Sequence, residues 1–243
     1  MYVSKIKDSM KEFVKKHGSA RLIASIKSII LFLKKIQQFV WTAWGKIIKN
    51  HINLLVKTNK PKRYLEIGSG NNRLSGFETL DIFGGRYVDY VYNAARPLPF
   101  KDNTFDLIYA SHVLEHIPWY MTEQVLREWF RILKPTGQLE VWVPDGLKIC
   151  KMLVEAENGL RTSIPDGWTM LNPKGSPFLW VNGRIFYGAR KDYPSWHKAL
   201  FTPKYLLEVY SSVGFVEVRQ MDRSEVRGYD HGWINLGIRG QKP

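Results

Sequence analysis

Three residues in "ASHVLEHIPW" (110–119), His112, Glu115 and His116, spell His-x-x-Glu-His. Two histidines one helical turn apart can bind zinc while the glutamate serves as base, as in the inverted metalloproteases. That chemistry needs a helix presenting both imidazoles on one face and a third ligand. The sequence offers neither. The histidines follow directly on the apolar run "FDLIYA", Pro118 comes two residues after His116, and the single cysteine, Cys150, lies elsewhere. The string is read as the edge of a strand, and no metal is expected. Asp145, His197 and the pair Asp230-His231 are the other side chains whose types suit proton transfer.

The elements that must position these residues alternate between strand and helix. "YLEIGSGNN" opens with a short strand, Tyr64 to Ile67, and runs into Gly68-Ser69-Gly70. A strand feeding a glycine turn brings backbone N–H groups close to a ligand, although such turns also occur purely as turns. The dinucleotide fingerprint Gly-x-Gly-x-x-Gly fails, because Arg73 occupies its third glycine position. A second strand (77–83) carries Asp81 near its end, where an acid can accept hydrogen bonds from ribose hydroxyls. A strand near 88–92 ends at Asn93, and a strongly apolar one, Phe105 to Ala110, stops at Ser111. "YMTEQVLREWFRILKPTG" has helical periodicity, "QLEVWVPDG" is a buried strand with Asp145 just past its end, and "LKICKMLVEAENG" is a helix. Thr202 caps a further helix with Pro203 at its first position, and "FVEVRQMD" and "GWINLGIRG" close the domain as a strand pair. This order predicts an α/β three-layer sandwich around a mostly parallel, doubly wound sheet.

"LEIGSG", Asp81, "LPFKDNTFDLIYASHVLEHI" and "EWFRILKPTGQLEVWVPD", in that order, closely resemble the class I, seven-stranded S-adenosylmethionine-dependent methyltransferases, from residue 63 to about 239. The resemblance implies S-adenosylmethionine as cofactor. It places Glu66, Gly68, Ser69 and Gly70 at the methionine part, Asp81 with its neighbour Ile82 at the ribose, and Asn93-Ala94 at the adenine. Ser111 and His112 fall beneath the methyl donor. Two departures stand out. Gly70 and Asp81 are 11 positions apart, where about 20 residues are usual in such folds, so the first crossover helix should shrink to a turn. Only residues 83–87 separate the second and third strands, so that connection should be a bare loop. Asn93 stands where many relatives have Asp. The shortening is similar to a compact branch of the family linked to cell-surface sugar and lipid-linked glycan modification.

The net charge of +14 suggests nucleic acid until it is mapped. Residues 1–63 hold 15 Lys and Arg against Asp8 and Glu12, while the remaining 180 residues hold 21 basic and 20 acidic side chains. The chain therefore divides into a basic helical segment, 1–60, and a catalytic domain, 61–243, and no nucleic-acid partner is expected. Leu22, Ile26, Ile29, Leu33, Ile36, Val40, Trp44 and Ile47 trace one long amphipathic helix over 19–56, capped by Ser19 and relaxed near Gly45, after a shorter stripe in 2–16. Lys27 and Lys34-Lys35 interrupt it too often for a bilayer span. Such a helix either lies on a membrane surface through residues 1–58, or packs on its own domain or in a homodimer. The single cysteine excludes an internal disulfide, and with no cleavable signal visible the expected location is cytoplasmic, on or off the membrane's cytoplasmic face.

For a hydroxyl acceptor a base helps. His116 either serves directly or orients the turn before Pro118. Asp145 either lines the acceptor pocket or caps the next helix. His197 either serves as base or contacts substrate, or it packs. Residues 160–200, rich in Pro, Gly and aromatics such as Trp168, Trp180 and Tyr193, are either a lid over an acceptor or a satellite core. The expected function is methyl transfer to a hydroxyl of a sugar, lipid-linked glycan or other small molecule. The competing readings are a protein or soluble-metabolite acceptor, a non-catalytic binding or scaffold protein, and a zinc hydrolase.

Overall fold

A computed structural model describes residues 20–56, 61–70, 72–166, 172–187 and 195–243. The stripe in 2–16, the Ser19 cap, Trp168 and Tyr193 lie outside the described residues.

The chain enters as helix α1 (Ala20–Trp44), a π-helical turn (Gly45–Lys49) and α2 (Asn50–Val56). Then come β1 (Tyr64–Ile67), β2 (Phe77–Asp81), β3 (Tyr90–Val91), β4 (Phe105–Ser111), α3 (Thr122–Ile132), β5 (Leu133–Pro144), α4 (Gly146–Glu157), α5 (Pro177–Ile185), α6 (Pro203–Val213), β6 (Val216–Met221) and β7 (Asn235–Gln241). The strands form one seven-stranded sheet in the order β3-β2-β1-β4-β5-β7-β6, parallel except for β7, which runs antiparallel to both β5 and β6. This is the predicted class. Among the described residues no helix joins β1 to β2 or β2 to β3, as the short spacings required.

Alternation along the strands divides the interior. Ile108, Ala110, Leu139, Val141 and Ile238 face α3 and α6, packing with Leu126, Trp129, Ile132, Leu206 and Tyr210 in the main core. Each large side chain buried there contributes about 1.5–3 kcal/mol. Tyr109, Trp142 and Met221 face the other way, where Leu74, Phe77 and Val226 cover them from β2 and two loops. Behind the sheet, α4 and α5 enclose a satellite core of Ile149, Met152, Trp180, Val181 and Ile234.

Boundaries moved where side chains intervene. β2 stops at Asp81, not 83, because its carboxylate accepts from Phe83 N and turns the chain. The helix read over 120–137 ends at Ile132, and Lys134–Gly137 bulge into β5, with Thr136 at φ +64°. α5 lies inside the 160–200 stretch, for which no helix was expected: Ser176 accepts from Leu179 N and Pro177 takes the first position.

The basic helix is not a separate body at its C-terminal end. Asn50 exchanges two hydrogen bonds with the Val91 backbone, Asn53 donates to Asp89 O, and Gly45 lies so close to Val91 that a Cβ there would overlap it. The π-helical turn occurs at that glycine, where the helix meets the sheet edge.

Candidate active site

A cavity of about 350 Å³ opens at the C-terminal ends of β1, β2 and β4, and this is where an α/β sheet of this kind places its ligand. Its floor is the glycine turn. Gly68 (φ +77°) donates to Leu80 O at 2.7 Å, and a Cβ on it would collide with Val113. Gly70 (φ +58°) donates to Asp81 Oδ2 at 2.9 Å. Both conformations suit glycine and strain other residues. Asp81 lines the cavity and accepts a second bond from Phe83 N. Burial raises its pKa, and the Phe83, Gly70 and Ile82 amides oppose that rise. The wall continues through Ile82, Phe83, Gly84, Tyr92, Asn93 and Ala94. Asn93 Oδ1 accepts from Ala95 N, and Trp129 Nε1 donates to Ala94 O, so this rim is fixed from both sides.

The opposite wall comes from α1. Gln38 of α1 lines the cavity and donates to Gly84 O at 2.6 Å, and Thr42 Oγ1 accepts from Gly84 N at 2.9 Å. The basic helix thus closes one side of the pocket. Only long-range packing reveals this, since neither residue belongs to any motif.

Of the other expected contacts, Gly68, Gly70, Asp81, Ile82, Asn93, Ala94 and His112 line the cavity, whereas Glu66, Ser69 and Ser111 do not. Glu66 instead accepts from Leu74 N and so closes the shortened β1–β2 connection; burial raises its pKa, against that bond and the charge of Arg73. Ser69 is buried with its hydroxyl unpartnered among the described residues. Ser111 shares the Tyr109 side of β4, one residue out of phase with the cavity.

Past β4 the chain makes a sharp turn at His112, a non-glycine residue at φ +54°. Its Nε2 meets Asn235 Oδ1 at 2.9 Å, and Asn235 Nδ2 donates to Asp230, so His112 Nε2 must be the donor. Its Nδ1 lies 3.1 Å from Glu115 Oε1. The two side chains form an ion pair when His112 is protonated. Burial opposes charging of His112, yet Glu115 and Asn235 outweigh it and the pKa is raised. Its ring lies 3.7 Å from that of His231, whose pKa burial and the His112 charge push down to about 4.

His116 follows in a single 3₁₀ turn, Leu114–His116, and also lines the cavity. Its ring lies 5.0 Å from that of His197, and its Nδ1 is buried without a partner among the described residues. His197 Nδ1 meets Arg184 O at 2.8 Å and its Nε2 faces Glu115 Oε1 at 4.0 Å; burial lowers its pKa. Glu115 is 1% exposed, and its pKa falls because His112, His116 and His197 outweigh the effect of burial. The segment carrying His197 is pinned here by Lys198, which donates from N to Glu115 O and from Nζ to His116 O. His116 and His197 are thus brought together, while Asp145 is not. Its carboxylate accepts from Leu147 N and Lys148 N as the N-cap of α4, away from the cavity. The Asp230 carboxylate is likewise engaged, by Arg223, Gly232 N and Asn235.

In the 160–200 segment Trp180 stacks on Trp233 at 5.9 Å and donates to Asp166, which makes it a core residue. Phe178, Phe186 and Trp196 are exposed.

Residues 65–141 match the family model described as a methyltransferase domain. A demethylmenaquinone methyltransferase of Listeria welshimeri is 32% identical over 145 residues, 56% of this chain and 52% of that protein. One from Anoxybacillus flavithermus is 41% identical over 64 residues, 26% of each chain. The chain thus spans about half the length, or less, of these curated relatives. Among solved structures, a S-adenosylmethionine-dependent methyltransferase of Thermotoga maritima, described as a possible histamine N-methyltransferase, aligns over 87% of this chain and 96% of its own, at 20% identity and a TM-score of 0.44. The glycine turn, Asp81, the Asn93 rim and the histidine edge of β4 all fall inside the matched stretch. Residues 65–141, which run from β1 into β5 of the seven-stranded sheet, are thus similar to a methyltransferase domain.

Proposed function

We propose that this chain transfers a methyl group from S-adenosylmethionine to a hydroxyl of a sugar or lipid-linked glycan at a membrane surface. One observation carries the reading: a single cavity joins the glycine turn and Asp81 to His116, behind which stand a buried carboxylate and a second imidazole. Gly68 and Gly70 would hold the methionine part, Asp81 the ribose hydroxyls, and Asn93-Ala94 the adenine edge. Gly68 fits that task because its left-handed φ and the Val113 side chain against it exclude a Cβ, which leaves its backbone bare. When bound, the cofactor supplies an electrophilic methyl whose C–S bond breaks as an acceptor oxygen attacks. The chain's own residues orient that oxygen, exclude water and draw off its proton. Orientation is the larger contribution, about 7–11 kcal/mol in well-placed reactions, and proton removal adds roughly 10²–10⁴-fold. The Glu115–His116–His197 group at the cavity edge is assigned the second task.

The acceptor's setting rests on α1. Phe32, Leu33, Ile36, Phe39 and Val40 are exposed beside Lys34 and Lys35, and no described helix is long and apolar enough to cross a membrane. A helix of this kind lies in the interface, each lysine contributing about 1 kcal/mol against anionic headgroups. On this reading the protein works at the cytoplasmic face.

The test is incubation with radiolabelled donor and fractionated host lysate, with demethylmenaquinone, the compound in the relatives' names, supplied separately. Label in lipid-extractable glycan is expected. Label confined to protein, a soluble metabolite or demethylmenaquinone would replace the acceptor assigned here. Cosedimentation with anionic liposomes, abolished by deleting residues 1–37, tests the membrane contact.

A further inference from the structure

We infer that Glu115, His116 and His197 form a divalent transition-metal site beside the methyl-donor cavity. One ligand atom from each residue lies within 4.8 Å of the other two. Two imidazoles and one carboxylate are a donor set suited to zinc and its first-row neighbours.

The hydrogen bonding argues for a cation in this group. His197 Nδ1 lies 2.8 Å from a backbone carbonyl, Arg184 O, which can only accept. Nδ1 therefore carries the hydrogen, and Nε2 of the neutral ring presents a lone pair. That lone pair points toward Glu115 Oε1 across 4.0 Å. Two acceptors so placed have no hydrogen to share and leave room between them for a cation. Holding the remote ring nitrogen on a carbonyl is also how metal-binding histidines are oriented. Independently, Glu115 Oε2 and His116 Nδ1 are buried with no hydrogen bond among the described residues, while Oε1 has the His112 Nδ1 contact at 3.1 Å. Orphaned buried acceptors cost about 1–3 kcal/mol each, more when charged, so a shared ligand that satisfies these two removes a real penalty.

The site differs from the one His-x-x-Glu-His suggests. His112 is occupied by Asn235 and His231, and the second imidazole arrives from the segment after α5. Because His116 also lines the cavity, a metal here would touch the acceptor side, and a chelating acceptor such as a vicinal diol would reach it. That role rests on the methyl-transfer reading; the metal site itself does not.

The experiment uses full-length protein stripped with chelator and titrated calorimetrically with Zn²⁺, with Co²⁺ absorption as a second readout. One equivalent is expected to bind, giving the visible spectrum of cobalt with nitrogen and oxygen ligands. His197→Asn and Glu115→Gln should each weaken it at least tenfold, whereas His231→Asn should not. His197→Asn keeps the assay usable if Glu115→Gln fails to fold. Absence of stoichiometric binding in the wild type, or undiminished binding in His197→Asn, overturns the inference; the first result would mean that a proton alone occupies the gap. Loss of S-adenosylmethionine binding would instead strike the methyl-transfer reading, so the two failures are separable.

Discussion

Replacing Gly84 by alanine tests whether the N-terminal helix is part of the cofactor site. A Cβ at position 84 would lie against the Trp41 carbonyl and 2.5 Å from Thr42 N. These are helix backbone atoms, which cannot rotate aside, so α1 must move away from the β2–β3 loop. Two hydrogen bonds then fail, Gln38 Nε2 to Gly84 O at 2.6 Å and Gly84 N to Thr42 Oγ1 at 2.9 Å. At about 0.5–1.5 kcal/mol each, with overpacking strain of about 1–3 kcal/mol, the local cost is about 2–6 kcal/mol. The sheet lies elsewhere and should survive, so the loss should appear as detachment of α1 more than as global unfolding. Removing Gln38 from the cavity wall should weaken binding of the donor, or of its demethylated product, about tenfold, which is about 1.4 kcal/mol. Thr42→Val, which deletes one bond without displacing the helix, should give a smaller effect of the same sign. The assays are calorimetric titration with the demethylated product and protease protection of residues 38–56. Wild-type affinity and wild-type protection in Gly84→Ala would refute the claim that α1 forms a wall of this pocket.

Three further outcomes follow from other contacts. Asp81→Ala should weaken donor binding by roughly 10–100-fold in the same titration, because it removes both the acid in the cavity and the acceptor that holds Gly70 N; unchanged affinity would dissociate Asp81 from the ribose. Glu140 is fully buried and takes two bonds from Arg227 and one from Arg239, so Glu140→Leu should cost about 1–3 kcal/mol in denaturant unfolding by removing charge-assisted bonds, while the partly exposed guanidiniums turn to solvent. His231 has its folded pKa depressed to about 4. The unfolded chain therefore binds more protons between about pH 6.5 and 4, and stability falls as pH drops through that window. The melting-temperature difference between His231→Asn and wild type should shift in the variant's favour across it; a pH-independent difference would mean His231 does not titrate as described.

The fold was legible where local patterns and connection lengths constrain each other. "YLEI" and "FDLIYA" have no choice but buried strands, and 11 positions between Gly70 and Asp81 leave no room for a crossover helix. Turn-and-cap chemistry at Ser176-Pro177 was equally local and could have located α5 within a stretch read as irregular. Asp145 was ambiguous for a physical reason: an acid after a strand and before a helix suits a cap as well as a pocket, and the two amides it accepts from decide for the cap. Gln38 was beyond reach, because its role depends on where α1 docks, and docking is set by Asn50, Asn53 and Gly45 meeting an edge strand some 40 residues away.

The histidines show why a local string needs its neighbours in space before it can be read. As a protease motif, His112 and His116 would need a shared helical face, yet a positive φ at His112 and a single 3₁₀ turn send their rings to different neighbours. As a strand edge, the string leaves open what, beyond His112 Nδ1 at 3.1 Å, compensates so complete a burial of the Glu115 carboxylate, which is costly alone. The structure resolves this by bringing His197 from beyond α5 and fastening it through Lys198 to the Glu115 and His116 carbonyls. Those backbone contacts fix the ring within 5.0 Å of His116 whatever fills the gap. Lys198→Ala, which removes the Nζ bond to His116 O and keeps the backbone bond to Glu115 O, should therefore loosen the His116 side of the cavity while leaving the donor side, built on β1 and β2, intact. Turnover lost with donor affinity unchanged is the expected pattern, and a parallel loss of both would mean that the two halves of the cavity are not independently built.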